Sequence, residues 1–516
     1  MRYIKGIDRQ QQILFPETVD EYIDKKNPVR FIDAFVDGLD LVKLKFTRAK
    51  TKTTGRKPYN PADFLKLYIY GYLNKVRSSR RLEKLTHNNI EVIWLLRKLR
   101  PDFKTIADFR SQNSKGLKEV FHQFILLCKS MDLFGSELIA IDGSKFSAVN
   151  HNSRNYTKDK LKNLLKQINE QIENYLTELE QGDDAESEVK EFDSDQVQAK
   201  IDQLRQDQTK LEQMQEQLQT SGKSQVSLTD PDSRMMKSNK GSDVSYNVQI
   251  VTDSKHKLLV DFEITNDIND MNQLSNMAIK SKNILEVDQI TATADTGYHN
   301  EIEVAKCDQE NITCYIPKPQ PQSFKRKSNY FTKADFQYDA QNDCYICPAQ
   351  HILTYCGKKK WSDRKEQYKY GCSTCKACFI RSQCMGKKKG NRYLFRGVHE
   401  NLIDQMEQRV LENPEITQKR KELVEHPFGT MKHWMDQGYF LTRGFENVTG
   451  EMSLTALCYN IKRVLNIFDF KELMASLLAL KANFVKNSIL IYKPKYILSI
   501  NLMHVNKLGQ FKEIYS

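Results

Sequence analysis

The 516-residue sequence lacks any run of about 18 apolar residues, so no transmembrane helix is expected, and no membrane partner. Its first residues, Met-Arg-Tyr-Ile-Lys-Gly-Ile-Asp, lack the apolar stretch of a secretory signal. Export is therefore not expected, and the expected location is cytoplasmic. Without export, eleven cysteines do not read as a disulfide framework but as thiols or metal ligands. Acidic residues are scarce in two blocks: residues 1–140 hold 27 Lys/Arg against 16 Asp/Glu, and residues 318–398 hold 18 against 5. Residues 155–225 reverse the balance, with 9 against 16. A net charge of +13 concentrated in two blocks is the footprint of nucleic-acid contact.

The stretch with most chemical content is Glu137 to Lys145. Leu138 to Ile141 has the apolar character of a buried strand. The strand is expected to end at Asp142, with Gly143 breaking it. Residues 289–297, Gln-Ile-Thr-Ala-Thr-Ala-Asp-Thr-Gly, repeat the pattern with Asp295. Either aspartate alone reads more readily as a strand-terminating turn residue. The pair suggests one site built from distant segments.

Residues 1–133 are expected to be helical and to bind DNA. Apolar residues recur three and four apart in Val29–Leu39 and Pro61–Leu73, the latter with Asn60 as N-cap before Pro61. Shorter patterns at 80–86, 89–98 and 105–110 flank a basic, serine-containing turn with Arg77, Arg80 and Arg81. This suits a helix-turn-helix-like element. The run from Arg48 to Lys57, including Arg56, could track phosphates. Residues 157–222 carry a heptad-like seam on either side of an acidic linker, which predicts an antiparallel helical hairpin that avoids DNA. Strands at 244–251 and 258–264, a helix at 271–285 and strands at 290–294 and 314–316 then form a mixed α/β layer. With residues 399–470 as its last helices, this layer makes up the core segment 134–317; residues 471–516 form a tail.

Residues 318–398 interrupt the core with seven cysteines. The spacing Cys375-x-x-Cys378-x5-Cys384, with Cys347 upstream, could close a four-thiolate zinc site. The plain alternative is a cluster of reduced thiols. Lys325-Arg326-Lys327 and the lysines at 358–360 and 387–389 alternate with Tyr330, Phe331, Trp361, Tyr368 and Tyr370, a mix suited to a phosphate backbone and unpaired bases.

A third carboxylate lies in residues 416–434. Glu425 and Lys432 are two helical turns apart and share a face of an ideal helix; Glu422 is the competing acid. Pro427 implies a kink, or a helix that starts near it. At this point the chain resembles the DDE transposases of bacterial insertion sequences. The matching residues are Ile141-Asp142-Gly143-Ser144-Lys145, Ala294-Asp295-Thr296-Gly297-Tyr298, Val424-Glu425-His426-Pro427-Phe428-Gly429 with Lys432, Arg443-Gly444, and Tyr459-Asn460 with Lys462-Arg463. The resemblance covers nearly the whole chain. It implies an α/β, RNase H-like mixed-sheet core carrying Asp142, Asp295 and Glu425. The N-terminal all-α domain, the helical hairpin and the basic Cys-rich insertion are added to that core. The family's tyrosine-arginine-glutamate-lysine signature is matched at Glu425 and Lys432. No tyrosine precedes Glu425 at the usual place, and Arg420 stands one residue off, with Lys421 nearer the expected position.

Phosphodiester chemistry needs an activated water or 3′-hydroxyl and a stabilised leaving oxygen, which hard divalent cations supply. Three convergent carboxylates would hold Mg²⁺ or Mn²⁺. Lys432 and Arg420 would contact phosphates at the element's ends. The reading is a transposase acting on double-stranded DNA, both terminal inverted repeats and target, as a homodimer assembled on DNA. The rivals are a structure-specific nuclease of the same fold and a DNA-binding protein with a relict site.

Overall fold

The computed structural model describes residues 17–51, 57–150, 152–183, 194–220, 222, 225–238, 241–319, 330–360, 366–385 and 389–479. Described residues within 1–109, 122–131 and 461–516 form one compact unit, and those within 110–121 and 132–460 form another.

The first unit is helical. It contains α1 (Pro28–Asp37), α2 (Pro61–Leu73), α3 (Ser79–Asn88), α4 (Ile90–Leu95), most of α5 (Phe103–Gln112) and the end of α6 (Ser114–Ser130). The expected start of α2 is present: Asn60 accepts from the Ala62 N–H at 3.0 Å, and Pro61 stands first in the helix. There the missing N–H costs nothing. Phe109 stacks on Phe46, Phe64 and Tyr68, with centroids 5.2 to 5.9 Å apart. The turn from α2 to α3 is tight because Gly71 has no side chain. The Val76 N–H reaches the Gly71 carbonyl at 2.7 Å. A Cβ at Gly71 would overlap Leu82 and the Val76 carbonyl.

The second unit contains β1 (Leu138–Ser147), β2 (Asn155–Thr157), α7 (Lys158–Asp183), α8 (Ser194–Thr220), β3 (Gln225–Ser227), β4 (Arg234–Ser238), β5 (Gly241–Asp253), β6 (Leu259–Thr265), α9 (Leu274–Leu285), β7 (Ile290–Thr293), α10 (Glu301–Gln309) and β8 (Ile312–Tyr315). The main sheet runs β6-β5-β1-β7-β8, with β4 extending the edge beside β6. β5 is antiparallel to β1 and β6, whereas β1, β7 and β8 are parallel. This is the RNase H-like arrangement.

One local expectation is corrected. β1 does not stop at Gly143; it continues to Ser147, with Asp142 opposite Ile250 and Gly143 opposite Gln249. Pairing with β5 carries it on. On the other side, pairing with β7 stops at Ala140–Thr293. Asp142 thus lies beyond the last rung shared with β7, where that flank of β1 is open.

α7 and α8 form the expected hairpin. Leu161, Leu211 and Leu218 close its buried base against Tyr156 and Ile168. Farther along the seam Gln208 donates to Asn169 at 2.9 Å, a polar register mark. β2 pairs with β3, so the arm leaves and rejoins the chain at one place. Most of the acidic linker, 184–193, lies outside the described residues.

The insertion forms a second, antiparallel sheet, β13-β12-β11-β10-β9. Its strands are β9 (Gln337–Asp339), β10 (Cys344–Ile346), β11 (Ile352–Lys360), β12 (Glu366–Gly371) and β13 (Tyr393–Gly397), with α11 (Arg381–Met385) before β13. Phe336, Tyr345, Leu353, Tyr370 and Leu394 are its core. Tyr370 is therefore buried and does not offer a face to bases, while Tyr330, Tyr355 and Tyr393 are exposed. Lys369 lies 3.8 Å from the ring centre of Tyr393 and Lys358 5.5 Å from that of Tyr368. Residues 325–327, Lys387, Lys388 and Trp361 lie outside the described residues.

The chain then forms α12 (Glu400–Glu412), α13 (Pro414–Gly429) and α14 (Phe445–Ile467). Pro427 does not start a helix. It sits in the last turn of α13, and Thr430–Trp434 continue as a π-helical turn. Pro427 has no N–H to offer the Leu423 carbonyl, yet the helix runs on through it, and the Met435 N–H then reaches the Thr430 carbonyl at 2.8 Å in the π turn. Among the described residues no helix is long and apolar enough to cross a membrane. Residues 480–516 of the tail lie outside the described residues.

Candidate active site

Asp142 reaches the site from β1, and Asp295 follows β7, where its carboxylate accepts from the Gly297 N–H at 2.8 Å and caps a short turn. The two side chains are electrostatic neighbours. Burial pushes the Asp142 carboxyl up to about 7. Arg420 opposes that rise, Asp295 adds to it, the Gly143 N–H lowers it, and Asp270 adds a further rise. Arg420, on α13, places a guanidinium nitrogen 3.5 Å from Asp142 Oδ2. α13 is held on the sheet by Leu423 and Val424, packed against Ala140 and Leu138. The guanidinium that faces the site therefore belongs to Arg420; Lys421 is exposed.

Beneath Asp142 lies a network that sequence reading missed. Asp270 accepts from Asn247 and from Gln249, each at 2.6 Å. It also faces the Lys145 ammonium at 3.6 Å. Gln249 in turn accepts from the buried Tyr298 hydroxyl. Burial lowers the Lys145 pKa, and Asp270 and Asp142 oppose that. Burial, then Asp270, Asp142 and Asp295, holds the Tyr298 phenol protonated. Gly143 belongs to this network by its emptiness: a Cβ there would overlap the Gln249 amide and the Asp270 carboxylate. The available signal was the polar alternation Ser245, Asn247, Gln249 between Val244, Tyr246, Val248 and Ile250, all of them buried.

Lys432 comes from the π turn. Its ammonium donates to Ser144 Oγ at 2.6 Å and to the Lys145 carbonyl at 2.7 Å, and lies 4.6 Å from the ring centre of Phe146. Glu422 is turned away, paired with Lys257 at 2.5 Å. Glu425 is exposed on α13. The structure thus brings Asp142 and Asp295 together with Arg420 and Asp270, whereas Glu425 is exposed and, among the described residues, makes no hydrogen bond or ion pair to them. Among the described residues no group of three or more His, Cys, Asp or Glu side chains is arranged to hold a metal ion. Tyr459 and Asn460 prove to be fasteners: Asn460 makes two 2.9 Å bonds to the Leu259 backbone, and Tyr459 joins His426 at 3.0 Å and the Lys257 carbonyl at 2.8 Å.

In the helical unit, Arg80 and Arg81 are exposed at the start of α3, whereas Arg77 is buried at 5% exposure. Arg80 lies 5.3 Å from the ring centre of Phe103. Lys57 is exposed, and Arg56 lies outside the described residues. Cys347, Cys375, Cys378 and Cys384 all line one small cavity in the insertion, together with Cys372.

Asp142 within β1 and Asp295 just after β7 thus lie together at the open flank of an RNase H-like mixed sheet. Comparison with known families makes this more specific. A transposase domain (DUF772) matches residues 17–112, and a transposase DDE domain matches residues 346–465. These matches support a DDE transposase of an insertion sequence, a DNA-cleaving and strand-transfer enzyme that depends on divalent metal. No curated protein matches the sequence. The cryo-EM structure of a piggyBac transposase synaptic complex with hairpin DNA aligns over 95% of this chain and 88% of that one, at 9% identity and a TM-score of 0.32. That likeness adds nothing to the topology.

Proposed function

We propose that Asp142, Asp295 and Glu425 are the catalytic carboxylates with which this transposase cuts and rejoins the ends of its element. The observation that carries the reading is the meeting of Asp142 and Asp295 at the open flank of β1. The donor set fits a hard divalent cation: oxygen ligands, one of them buried and destabilised in its charged form by a second carboxylate. Asp142 and Asp295 would hold Mg²⁺ or Mn²⁺, and Glu425 would complete the set. Bound there, the metal would polarise the scissile phosphate and ease ionisation of the attacking hydroxyl.

The chain's own residues do the rest. Lys432 fixes the outgoing half of β1 through Ser144 and Lys145, which holds Asp142 in register. Arg420 neutralises Asp142 in the free protein and is placed to receive a DNA phosphate. Arg80, Arg81 and Lys57 are the exposed cations of the helical unit and are assigned to backbone contacts; Arg56 is assigned with them by sequence alone. Arg77, being buried, supports the turn instead. The partners are double-stranded terminal repeats and target DNA, engaged by a homodimer assembled on DNA in the bacterial cytoplasm at the nucleoid. The thiols of the insertion take no part in the chemistry and are read as a structural metal centre.

The test is cleavage and joining of labelled DNA carrying the element's own ends. Asp142→Ala, Asp295→Ala and Glu425→Ala should each abolish cleavage while DNA binding persists. Cleavage by Glu425→Ala together with loss in Glu422→Ala would move the third role to Glu422. Cleavage without joining in the parent protein would favour a nuclease.

A further inference from the structure

Asp142 and Asp295 each stand two residues beyond Ala140–Thr293, the last backbone rung between β1 and β7. Past that rung no ladder bond between the two strands sets the spacing of the carboxylates. Side chains take over. Asp295 opens a short turn in which the Tyr298 N–H reaches the Asp295 carbonyl at 3.2 Å. Tyr298 is fully buried, and its hydroxyl donates to Gln249 Oε1. Gln249 stands on β5 opposite Gly143, the residue after Asp142. Its amide nitrogen donates to Asp270 Oδ1 at 2.6 Å. Asp270 is half-buried in the loop between β6 and α9. That loop is itself tied down: the Asn247 amide donates to the Asp267 carbonyl at 3.2 Å, and Gln273 donates to the Asp267 carboxylate at 2.6 Å.

We infer that Asp270 is a positioning residue for the cleavage reaction, setting the spacing of Asp142 and Asp295 through Gln249 and the Tyr298 hydroxyl. The inference rests on the reading of those two aspartates as catalytic. It gives Asp270 no contact with DNA or metal. The direction of the hydrogen-bond chain carries it. A carboxylate facing the Lys145 ammonium accepts and does not donate. Asp270 therefore holds the Gln249 NH2 toward the loop and leaves the amide oxygen for Tyr298. Without Asp270 the amide is free to turn over. An NH2 would then meet the phenolic O–H, donor against donor, in a buried place where an unmade bond is costly. Tyr298 would lose its anchor, and the turn that carries Asp295 would loosen against β1. Removing only the Tyr298 hydroxyl cuts the same chain at its other end and leaves the buried ring in place.

The experiment uses the full-length protein with Asp270→Ala, Tyr298→Phe and the double variant, and DNA carrying the element's own ends. Each single variant should lower kcat for cleavage on the order of 100-fold, with KM for DNA within about twofold of the parent. The double variant should lose no more than the larger single loss, because both cut one chain. Hydrogen exchange of metal-free protein gives a readout that needs no activity. Residues 294–300 should exchange at least about tenfold faster in Asp270→Ala and in Tyr298→Phe, with exchange in α2 unchanged. Tyr298→Phe keeps the test alive if Asp270→Ala folds poorly. Parental kcat in Tyr298→Phe, losses that add in the double variant, or faster exchange throughout the chain would each overturn the inference. Asp142→Ala run alongside separates the two readings. If it still cuts, the carboxylate reading fails; if it is inactive while Tyr298→Phe and Asp270→Ala cut normally, the positioning role alone fails.

Discussion

Asp142 titrates in an unusual place, and stability should report it. Its folded pKa of about 7 lies above the unfolded value of about 3.9. The folded chain therefore holds this proton more tightly, so the stabilisation is complete below about pH 4 and is lost as pH rises through about 7. In metal-free protein, Asp142→Asn should raise the melting temperature by a few degrees at pH 8 and have little effect at pH 4; equal effects at both would show that Asp142 is not buried in its charged form. Gly143 permits an equally local test. Gly143→Ala must displace Gln249 or Asp270, and a displacement of about 1 Å at a reacting group costs on the order of 100-fold in rate. Cleavage should fall that far with circular dichroism unchanged. The two aspartates were legible because each ends an apolar run. Asp270 and Gln249 were not, since they carry no motif and gain meaning only when β5 is laid beside β1. Gly143 was read as a strand breaker because sequence shows conformational freedom and does not show the side chains a Cβ would meet.

Helix periodicity located α2 to the residue, with its cap, and gave the hairpin of α7 and α8 together with its seam. It misjudged the end of α13, which runs through Pro427 and on into a π turn instead of kinking or starting afresh. That turn sets where Lys432 points. Lys432→Ala should free β1 beyond Asp142 and reduce cleavage more than DNA binding. Lys432→Arg should not restore it, since a planar fork cannot take the place of a compact ammonium between Ser144 and Lys145. The hairpin offers a contrasting case. It departs and returns at the paired strands β2 and β3. Replacing residues 158–224 by a short Gly/Ser linker should therefore leave the salt dependence of DNA binding unchanged; a weaker dependence would mean that the acidic arm touches DNA after all.

Charge segregation governs the molecule as a whole. The basic blocks at 1–140 and 318–398 were visible from counting alone, but which cations face solvent was not: Arg77 sits among buried residues while Arg80 and Arg81 do not. Substituting both exposed arginines by alanine should lower DNA affinity at all sequences and reduce the slope of log affinity against log salt by about 2. Arg77→Ala should instead lower stability.

The pairing of Arg420 with Asp142 has a consequence for when this enzyme is armed. If the proposed metal enters beside Asp142, it must dislodge the guanidinium of Arg420, and that guanidinium needs somewhere to go. A DNA phosphate is the receiver within reach. On the proposed reading of this site, substrate and metal would then become conditions for each other, and the protein would stay idle until its DNA arrives.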